Sequence, residues 1–261
     1  CIRDRAYCDI FDGILAVQKR GAPGFWFAPW DDIITWTGVQ DGLMDLALRP
    51  EYIHKLVDRL VSVYLHGLDQ YEELHLLALN NTNVRIGSGA YGYTDELPPA
   101  DYDPDRIRAK DIWGAATPQI FATVSPKMHQ EFALQYEKRW LERFGLTYYG
   151  CCEPLSNKLD ILKNIPNLRK ISMSPWADLE VAAEQASGKY VLSIKPSPAM
   201  LAVDMWNPEL ARHDLDTKLR IVKDHDCQAE VIMKDISTVR HKPQRLWEWA
   251  RIASEVTQTY A

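Results

Sequence analysis

The chain has 261 residues, 46% of them hydrophobic and 25% charged, and its formal net charge is −6. This length and composition suit one α/β domain with a large core. The basic residues form no block and no apolar run reaches membrane-spanning length, which argues against binding nucleic acid or an acidic membrane surface and against a membrane-embedded protein. The five cysteines form no framework of paired spacings, so we expect a reduced, cytoplasmic protein.

Taken in chain order, hydrophobic periodicity and capping residues predict alternating helices and strands. Residues 91–105, rich in Tyr, Asp and Pro, are predicted to form a long loop of the kind that often serves as a lid or binding loop. The predicted helices cover residues 1–20, 50–77, 126–144, 156–163, 179–187, 208–224 and 243–257. The predicted strands cover residues 24–30, 83–90, 146–149, 168–175, 190–198 and 230–237.

Strands and helices that recur at spacings of roughly 25 to 45 residues imply parallel βαβ units. We therefore predict a (β/α)8 TIM-type barrel, of which about six βα units are visible. A closed barrel needs further strands, and the chain begins with Cys1 rather than Met. We expect a single barrel domain over residues 1–261 that lacks its amino-terminal part.

The strongest site signal follows strand 146–149, where an apolar run ends in Cys151, Cys152 and Glu153. Residues just past the carboxyl end of a parallel strand face the ligand crevice of an α/β protein. Thiolate, carboxylate and imidazole groups all suit Zn²⁺, so the two cysteines, Glu153 and His129 are candidate metal ligands. In the alternative interpretation a cysteine packs in the barrel wall, Glu153 caps the next helix or pairs with a lysine, and His129 is structural.

Charged side chains mark two later strand exits. Lys195 lies at the exit of predicted strand 190–198, and Lys234 and Asp235 lie at the exit of the last strand. Such groups can transfer protons or bind an anionic substrate. We therefore take Lys195 and Asp235, with Glu153, as candidate catalytic residues; a structural ion pair across the barrel mouth is the alternative.

Aromatic side chains are expected to border the same pocket. Trp30 and Trp176 are placed at strand ends, and Tyr93 lies in the long loop. Flat aromatic surfaces suit an organic substrate or the edge of a corrinoid. With Arg85 as a partner for a substrate carboxylate, these residues form the predicted substrate-binding set. Aromatics at strand ends are also ordinary caps of a core.

Two segments resemble the uroporphyrinogen decarboxylase superfamily: residues 46–56 (LALRPEYIHKL) and residues 124–132 (VSPKMHQEF). The strand–turn–helix that carries the cysteines is similar as well. That superfamily folds as a distorted (β/α)8 barrel and includes a cofactor-free decarboxylase and zinc-dependent methyltransferases that act on methylated corrinoids. The methyltransferases carry a His-x-Cys-Gly motif after the corresponding strand and a second cysteine near the last strand. In this chain the motif's histidine falls at Tyr149 and its cysteine at Cys151, or at Gly150 and Cys152 after a one-residue shift. The late cysteine falls near residues 234–236, which contain no cysteine, so the zinc triad is incomplete.

The resemblance implies methyl transfer in one-carbon metabolism, between a corrinoid (free or on a partner protein) and a small acceptor or donor, with zinc as cofactor. A metal-free decarboxylase is the alternative, with Lys195 and Arg85 holding carboxylates and Asp235 handling a proton. The decarboxylase branch takes its catalytic aspartate and arginines from amino-terminal elements that this chain lacks. The third possibility is a non-catalytic barrel that binds a ligand or a corrinoid protein. Trp247 and Trp249 indicate packing or a homodimer contact.

Overall fold

A computed structural model of the chain describes residues 2–18 and 20–260. Cys1 and Lys19, which belong to the predicted helix 1–20, lie outside the described residues, as does Ala261. The helices are α1 (Ile2–Phe11), α2 (Pro29–Thr37), α3 (Val39–Leu48), α4 (Pro50–Glu73), α5 (Pro126–His129), α6 (Gln135–Leu141), α7 (Leu159–Leu162), α8 (Leu179–Ala186), α9 (Ala199–Ala202), α10 (Pro208–Asp224) and α11 (Gln244–Tyr260). The strands are β1 (Arg85–Ile86), β2 (Ala90–Tyr91), β3 (Trp113–Ala116), β4 (Leu146–Tyr149), β5 (Leu168–Met173), β6 (Val191–Ile194) and β7 (Gln228–Val231).

Five strands form one parallel sheet in the order β3-β4-β5-β6-β7. Each strand pairs with the next one along the chain, and helices lie in the connections between them. Parallel neighbours need such crossovers, because a tight turn can join only antiparallel strands. The predicted α/β class is therefore confirmed. Within residues 2–18 and 20–260 the outer strands β3 and β7 do not pair with each other, so closure into a barrel is not observed.

Three of the six predicted strands are confirmed as β4, β5 and β6, whereas β7 (Gln228–Val231) shares only residues 230 and 231 with the predicted strand 230–237. β5 and β6 end before Pro175 and Pro196, because proline lacks the N–H group that a sheet ladder requires. Strand β3 was not among the predicted strands, because its Trp-Gly-Ala-Ala sequence has no β-branched residue.

The predicted strand 24–30 is wrong. This segment makes one backbone contact just past the end of β3, where the Thr117 N–H donates to the Phe27 carbonyl at 3.3 Å. Just before the segment, Ala22 forms an isolated bridge with Leu77. Helix α2 then begins at Pro29. A proline has no N–H for a ladder and suits the first turn of a helix, so the local sequence favours a helix start over a strand.

Several predicted helices are too long, including the one predicted over residues 156–163, of which α7 covers four residues. Helix α1 ends at Phe11 and buries none of its residues, so the helix predicted over residues 1–20 covers about half of that range. Helix α4 ends at Glu73 rather than near Leu77. None of the described helices combines the length and apolar character that crossing a membrane requires.

The predicted strand 83–90 is instead a short antiparallel hairpin, in which β1 pairs with β2. Gly87 and Gly89 at its tip have φ angles of +52° and +131°, which glycine adopts without steric cost. A Cβ on Gly87 would lie 2.3 Å from the Tyr148 ring, and a Cβ on Gly89 would lie 3.4 Å from the Lys234 side chain. The hairpin tip therefore packs directly on one face of the parallel sheet.

The two faces of the sheet differ in what covers them. Because side chains alternate along a strand, Tyr149, Ile171 and Leu192 point into the large core shared with the helices. Trp113 and Tyr148 point the other way, into a second small cluster under the hairpin. We call this second surface the inner face. It positions the candidate site described next.

Candidate active site at the carboxyl ends of the strands

A cavity of about 50 Å³ opens where β4 to β7 end. Each of these four strands contributes side chains to its wall. This is the edge at which α/β proteins bind ligands. The chemically active wall residues are Cys151 and Cys152 after β4, Trp176 after β5, Lys195 after β6, and Lys234 and Asp235 after β7. The structure thus brings together five of the predicted site residues, with Lys234 beside them; their roles stay predictions.

A tight turn aims the two thiols at the cavity. Gly150 has φ of +100°, and its N–H donates to the Ala116 carbonyl at 2.9 Å. A Cβ at this position would lie 2.5 Å from the Leu155 side chain, so only glycine fits the turn. The Ser172 hydroxyl then holds the Cys151 carbonyl at 2.9 Å. The sequence Gly-Cys-Cys therefore leaves β4 with both cysteines at the cavity wall.

The ammonium group of Lys234 lies beside both cysteine sulfur atoms. The two sulfur atoms lie 3.5 Å apart, and Lys234 Nζ lies 3.5 Å from Cys151 Sγ and 3.9 Å from Cys152 Sγ. It also lies 3.0 Å from Asp235 Oδ2. Burial raises the pKa of Cys151 to about 12, against the opposing charge of Lys234. At neutral pH Cys151 is therefore a thiol, and Lys234 is an ammonium ion paired with Asp235.

Lys195 is a buried amine at the same cavity, with 1% of its surface exposed. Its Nζ donates to the Ser193 carbonyl at 3.1 Å and to the Ser193 hydroxyl, and it lies 5.6 Å from the Tyr148 ring centroid. Burial lowers the pKa of Lys195 to about 7; Glu230 opposes this shift and Lys234 adds to it. A large fraction of Lys195 is thus an uncharged amine at physiological pH.

The inner face beneath Lys195 carries a chain of polar contacts that the sequence analysis missed. Glu230 accepts a hydrogen bond from the Ser193 hydroxyl at 2.6 Å and pairs with Lys170 at 3.0 Å. Lys170 also donates to the Tyr91 carbonyl at 2.7 Å. Polar residues at every second position of otherwise apolar strands, as in Lys170 and Ser172, were the available signal for a polar inner face.

Glu153 lies away from the cavity. Its side chain is fully buried and accepts hydrogen bonds from the Thr117 hydroxyl at 3.0 Å and from the Cys151 N–H at 3.0 Å. Burial raises its pKa, and those hydrogen bonds together with the charge of Lys158 oppose the shift. The hydrogen bonds of Glu153 hold the turn that presents the thiols; they differ from both expected structural roles, a cap of the next helix and a pair with a lysine.

His129 also lies in the core rather than at the cavity. It is fully buried, and its Nε2 is 2.7 Å from the Tyr149 hydroxyl, which donates to Glu137 at 2.6 Å. Burial, and secondarily the charge of Lys158, lower the pKa of His129 to about 3. His129 is therefore a neutral core histidine on the helix side of β4.

The remaining predicted substrate-binding residues lie elsewhere. Trp30 is a fully buried core residue whose indole N–H donates to the Phe132 carbonyl at 3.1 Å. Trp30 was expected at the end of a strand, but it lies in helix α2 and the segment before it is not a strand. Tyr93 is exposed, and Arg85 lines a separate groove beside Trp26 and Trp113. Neither Tyr93 nor Arg85 lines the cavity of Lys195.

The predicted zinc shell does not fit this arrangement. Glu153 and His129 are held by other partners, so only Cys151, Cys152 and Asp235 remain near the cavity. Among residues 2–18 and 20–260, no group of three or more His, Cys, Asp and Glu side chains is arranged to hold a metal ion. The Lys234 ammonium occupies the position beside the sulfur atoms where a cation would bind.

Comparison with known proteins adds no identification: neither the family models nor the curated proteins gave a significant match. The fold and the site define an α/β protein with a cavity at the edge where its parallel strands end. Lysines and cysteine thiols line this cavity.

Proposed function

We propose that this protein is a metal-free lyase that decarboxylates a small carboxylated substrate in the cavity. The observation that carries the proposal is the pair of lysines, Lys195 and Lys234, that face this one cavity from adjacent strand exits. One is largely an uncharged amine and the other is a charged ammonium ion. The two can therefore act in different steps of one reaction.

The wall around the lysines suits the loss of carbon dioxide. Lys234 supplies a positive charge that attracts an anionic substrate, and Asp235, 3.0 Å away, keeps that lysine protonated. Pro175, Trp176 and Pro196 make much of the remaining wall apolar. An apolar wall accommodates neutral carbon dioxide at no cost in buried charge, because only the carboxylate needs the cation of Lys234.

The first prediction is that the purified protein releases carbon dioxide from at least one member of a panel of small 2-oxo, 3-oxo and aromatic carboxylic acids. Replacing Lys234 by methionine is expected to lower kcat/KM by at least about tenfold, because the substrate carboxylate loses its cation. A coupled assay of carbon dioxide release measures the activity of the wild type on the panel and the kcat/KM of the variant.

Lys163→Met is the matched control, since Lys163 is an exposed lysine paired with Asp160. It should leave the rate unchanged. Release no faster than in buffer for the whole panel, or equal rates for the wild type and Lys234→Met, would contradict the proposal.

Methyl transfer to or from a corrinoid, on a free cofactor or a partner protein, remains the second candidate. It is supported by two thiols 3.5 Å apart at the carboxyl edge of a parallel sheet. The sequential strand order and the polar inner face also support the finer proposal that this sheet is the wall of a barrel. Since the ligands predicted for zinc are not gathered, we derive no step of this reaction.

The second prediction separates the two candidates by metal content. We expect protein purified without chelator or added metal to contain far less than one zinc per chain, since Lys234 lies against the sulfurs. Elemental analysis of the wild type, a Cys151→Ala, Cys152→Ala double variant and a Cys227→Ala control measures this. Stoichiometric zinc in the wild type and the control, lost in the double variant, would overturn the metal-free proposal and favour methyl transfer.

A further inference from the structure

We infer that Lys195 is a nucleophile that forms an imine with the ketone of a 3-oxo carboxylic acid. The inference rests on the proposed decarboxylation and names its substrate class. It starts from position: Lys195 follows β6 at the carboxyl edge of the sheet, and it shares the cavity wall with Lys234. A nucleophilic amine must be both uncharged and oriented, and the contacts of Lys195 bear on both requirements.

The surroundings of Lys195 favour the uncharged amine. The neighbouring carboxylate of Glu230 is taken by Lys170 at 3.0 Å and by the Ser193 hydroxyl at 2.6 Å. The ammonium of Lys234 is a second positive charge at the same cavity. Burial together with that charge lowers the pKa of Lys195. The negative charge of Glu230 opposes the shift but does not cancel it.

Hydrogen bonds also orient the amine. The Ser193 hydroxyl donates to Glu230, so it accepts from Lys195, and the Ser193 carbonyl accepts a second hydrogen bond from Lys195 at 3.1 Å. An uncharged amine has two N–H groups and one lone pair. With both N–H groups held by Ser193, the lone pair is free to attack a carbonyl carbon in the cavity.

The arrangement selects a 3-oxo acid over a 2-oxo acid. The Lys195 amine adds to the ketone, takes up one proton from solvent and expels water, giving a protonated imine. Cleavage of the adjacent C–C bond releases carbon dioxide, and its electron pair moves into the imine to form an enamine. This transfer requires the carboxylate on the carbon next to the imine carbon, as in a 3-oxo acid; a 2-oxo acid would leave an unstabilised acyl anion.

The remaining steps restore the enzyme. The enamine carbon takes one proton, for which the Lys234–Asp235 pair is the nearest charged donor in the cavity wall. Water then adds to the resulting protonated imine and releases the ketone, the free Lys195 amine and the proton taken up when the imine formed. One water is expelled and one is consumed, so the net reaction converts the 3-oxo carboxylate and one proton into a ketone and carbon dioxide.

The third prediction tests the nucleophile without turnover, using 2,4-pentanedione, a diketone that captures uncharged amines as stable enaminones. At pH 7 about half of an amine of pKa 7 is uncharged, against about one part in three thousand for an ordinary lysine. Allowing for the weaker nucleophilicity of a less basic amine, we expect Lys195 to be labelled at least about tenfold faster than other lysines. Peptide mapping by mass spectrometry measures this.

Lys195→Arg should lose the fast labelling while Lys163→Arg keeps it. Labelling of surface lysines without preference for Lys195 would overturn the inference. In a second arm, each 3-oxo acid that releases carbon dioxide is incubated with cyanoborohydride, which should fix a secondary amine on Lys195. Carbon dioxide release without that adduct and without fast labelling would overturn the imine and leave the lyase standing. Fast labelling of Lys195 without release of carbon dioxide from any acid would support a nucleophilic Lys195 and overturn the proposed lyase activity.

Discussion

Replacing Gly92 by alanine is expected to lower the free energy of unfolding by about 3 kcal/mol. A Cβ at this position would lie 1.7 Å from the carbonyl oxygen of Asn80, far inside van der Waals contact. Gly92 directly follows the hairpin strand β2, and its carbonyl accepts the indole N–H of Trp113 at 2.9 Å. The new methyl group must therefore push the hairpin away from β3 or distort the backbone of residue 80.

Asn80 cannot move aside at low cost. Its side-chain amide donates to the Pro23 carbonyl at 2.7 Å and to the Trp113 carbonyl at 3.0 Å, and it accepts the Trp113 N–H at 2.9 Å. Asn80 thereby satisfies backbone groups at the edge of β3 that would otherwise lack partners. Moving it would break several buried hydrogen bonds, each of which costs about 1 kcal/mol or more.

Urea denaturation followed by circular dichroism measures the effect, with Gly67→Ala as the matched control. A Cβ on Gly67, within helix α4, has no neighbour within 4 Å. That substitution should stabilise the protein by up to about 1 kcal/mol, because alanine has the higher helix propensity. Equal unfolding midpoints for Gly92→Ala and the wild type would show that the hairpin does not pack against Asn80 as described.

The parts of the fold that were predictable are those where local sequence and tertiary environment agree. Strands β4, β5 and β6 end near glycine or proline, and each carries apolar residues on the face that packs against the helices. The same logic located the thiols and Lys195 at one edge of the sheet. Segment 24–30 looked equally apolar, yet it has few ladder bonds because prolines at its ends interrupt them.

Side-chain direction after a strand was harder to predict than position. Cys151, Cys152 and Glu153 are consecutive, but the turn at Gly150 sends the thiols to the cavity and Glu153 into the core. Sequence spacing does not report a positive φ angle or the presence of Thr117 as a buried partner. Likewise, nothing in the spacing of His129 distinguished a ligand from a core residue bonded to Tyr149.

The buried carboxyl group of Glu137 is expected to make stability depend on pH in a way that Glu137→Gln removes. Glu137 is almost fully buried on helix α6. Tyr149 donates to one of its oxygens at 2.6 Å, and the other accepts no hydrogen bond from residues 2–18 or 20–260. Burial, opposed by the Tyr149 hydrogen bond, raises the pKa of Glu137 from 4.5 to about 8. The native protein therefore keeps a proton on Glu137 at pH values where the unfolded chain has lost it.

The sign follows from this difference. The contribution of protonated Glu137 is complete below pH 4.5 and is lost as the pH rises towards about 8. Each pKa unit is worth about 1.4 kcal/mol, so about 2 kcal/mol is lost between about pH 6.5 and about pH 8. Glutamine preserves the shape and accepts the Tyr149 hydrogen bond but has no charge to bury, so it avoids the loss.

The measured quantity is the difference in unfolding free energy between Glu137→Gln and the wild type across this pH range. A difference is required because burial also lowers the pKa of Lys195 to about 7 and of Lys158 to about 8, which adds stability as the pH rises. Those contributions are common to both proteins and cancel. The pKa of His129 is about 3 in the native state and 6.5 in the unfolded chain, so part of its contribution falls in this range, and it cancels in the same way.

We expect the difference to move in favour of Glu137→Gln by about 2 kcal/mol between about pH 6.5 and about pH 8. Glu142→Gln, an exposed change just after the same helix, should show no such drift. A constant difference for Glu137→Gln would mean that this carboxyl group ionises in the native state as it does in water. The space between β4 and helix α6 would then have to admit water or a cation beside Tyr149, because a buried carboxylate needs such a partner.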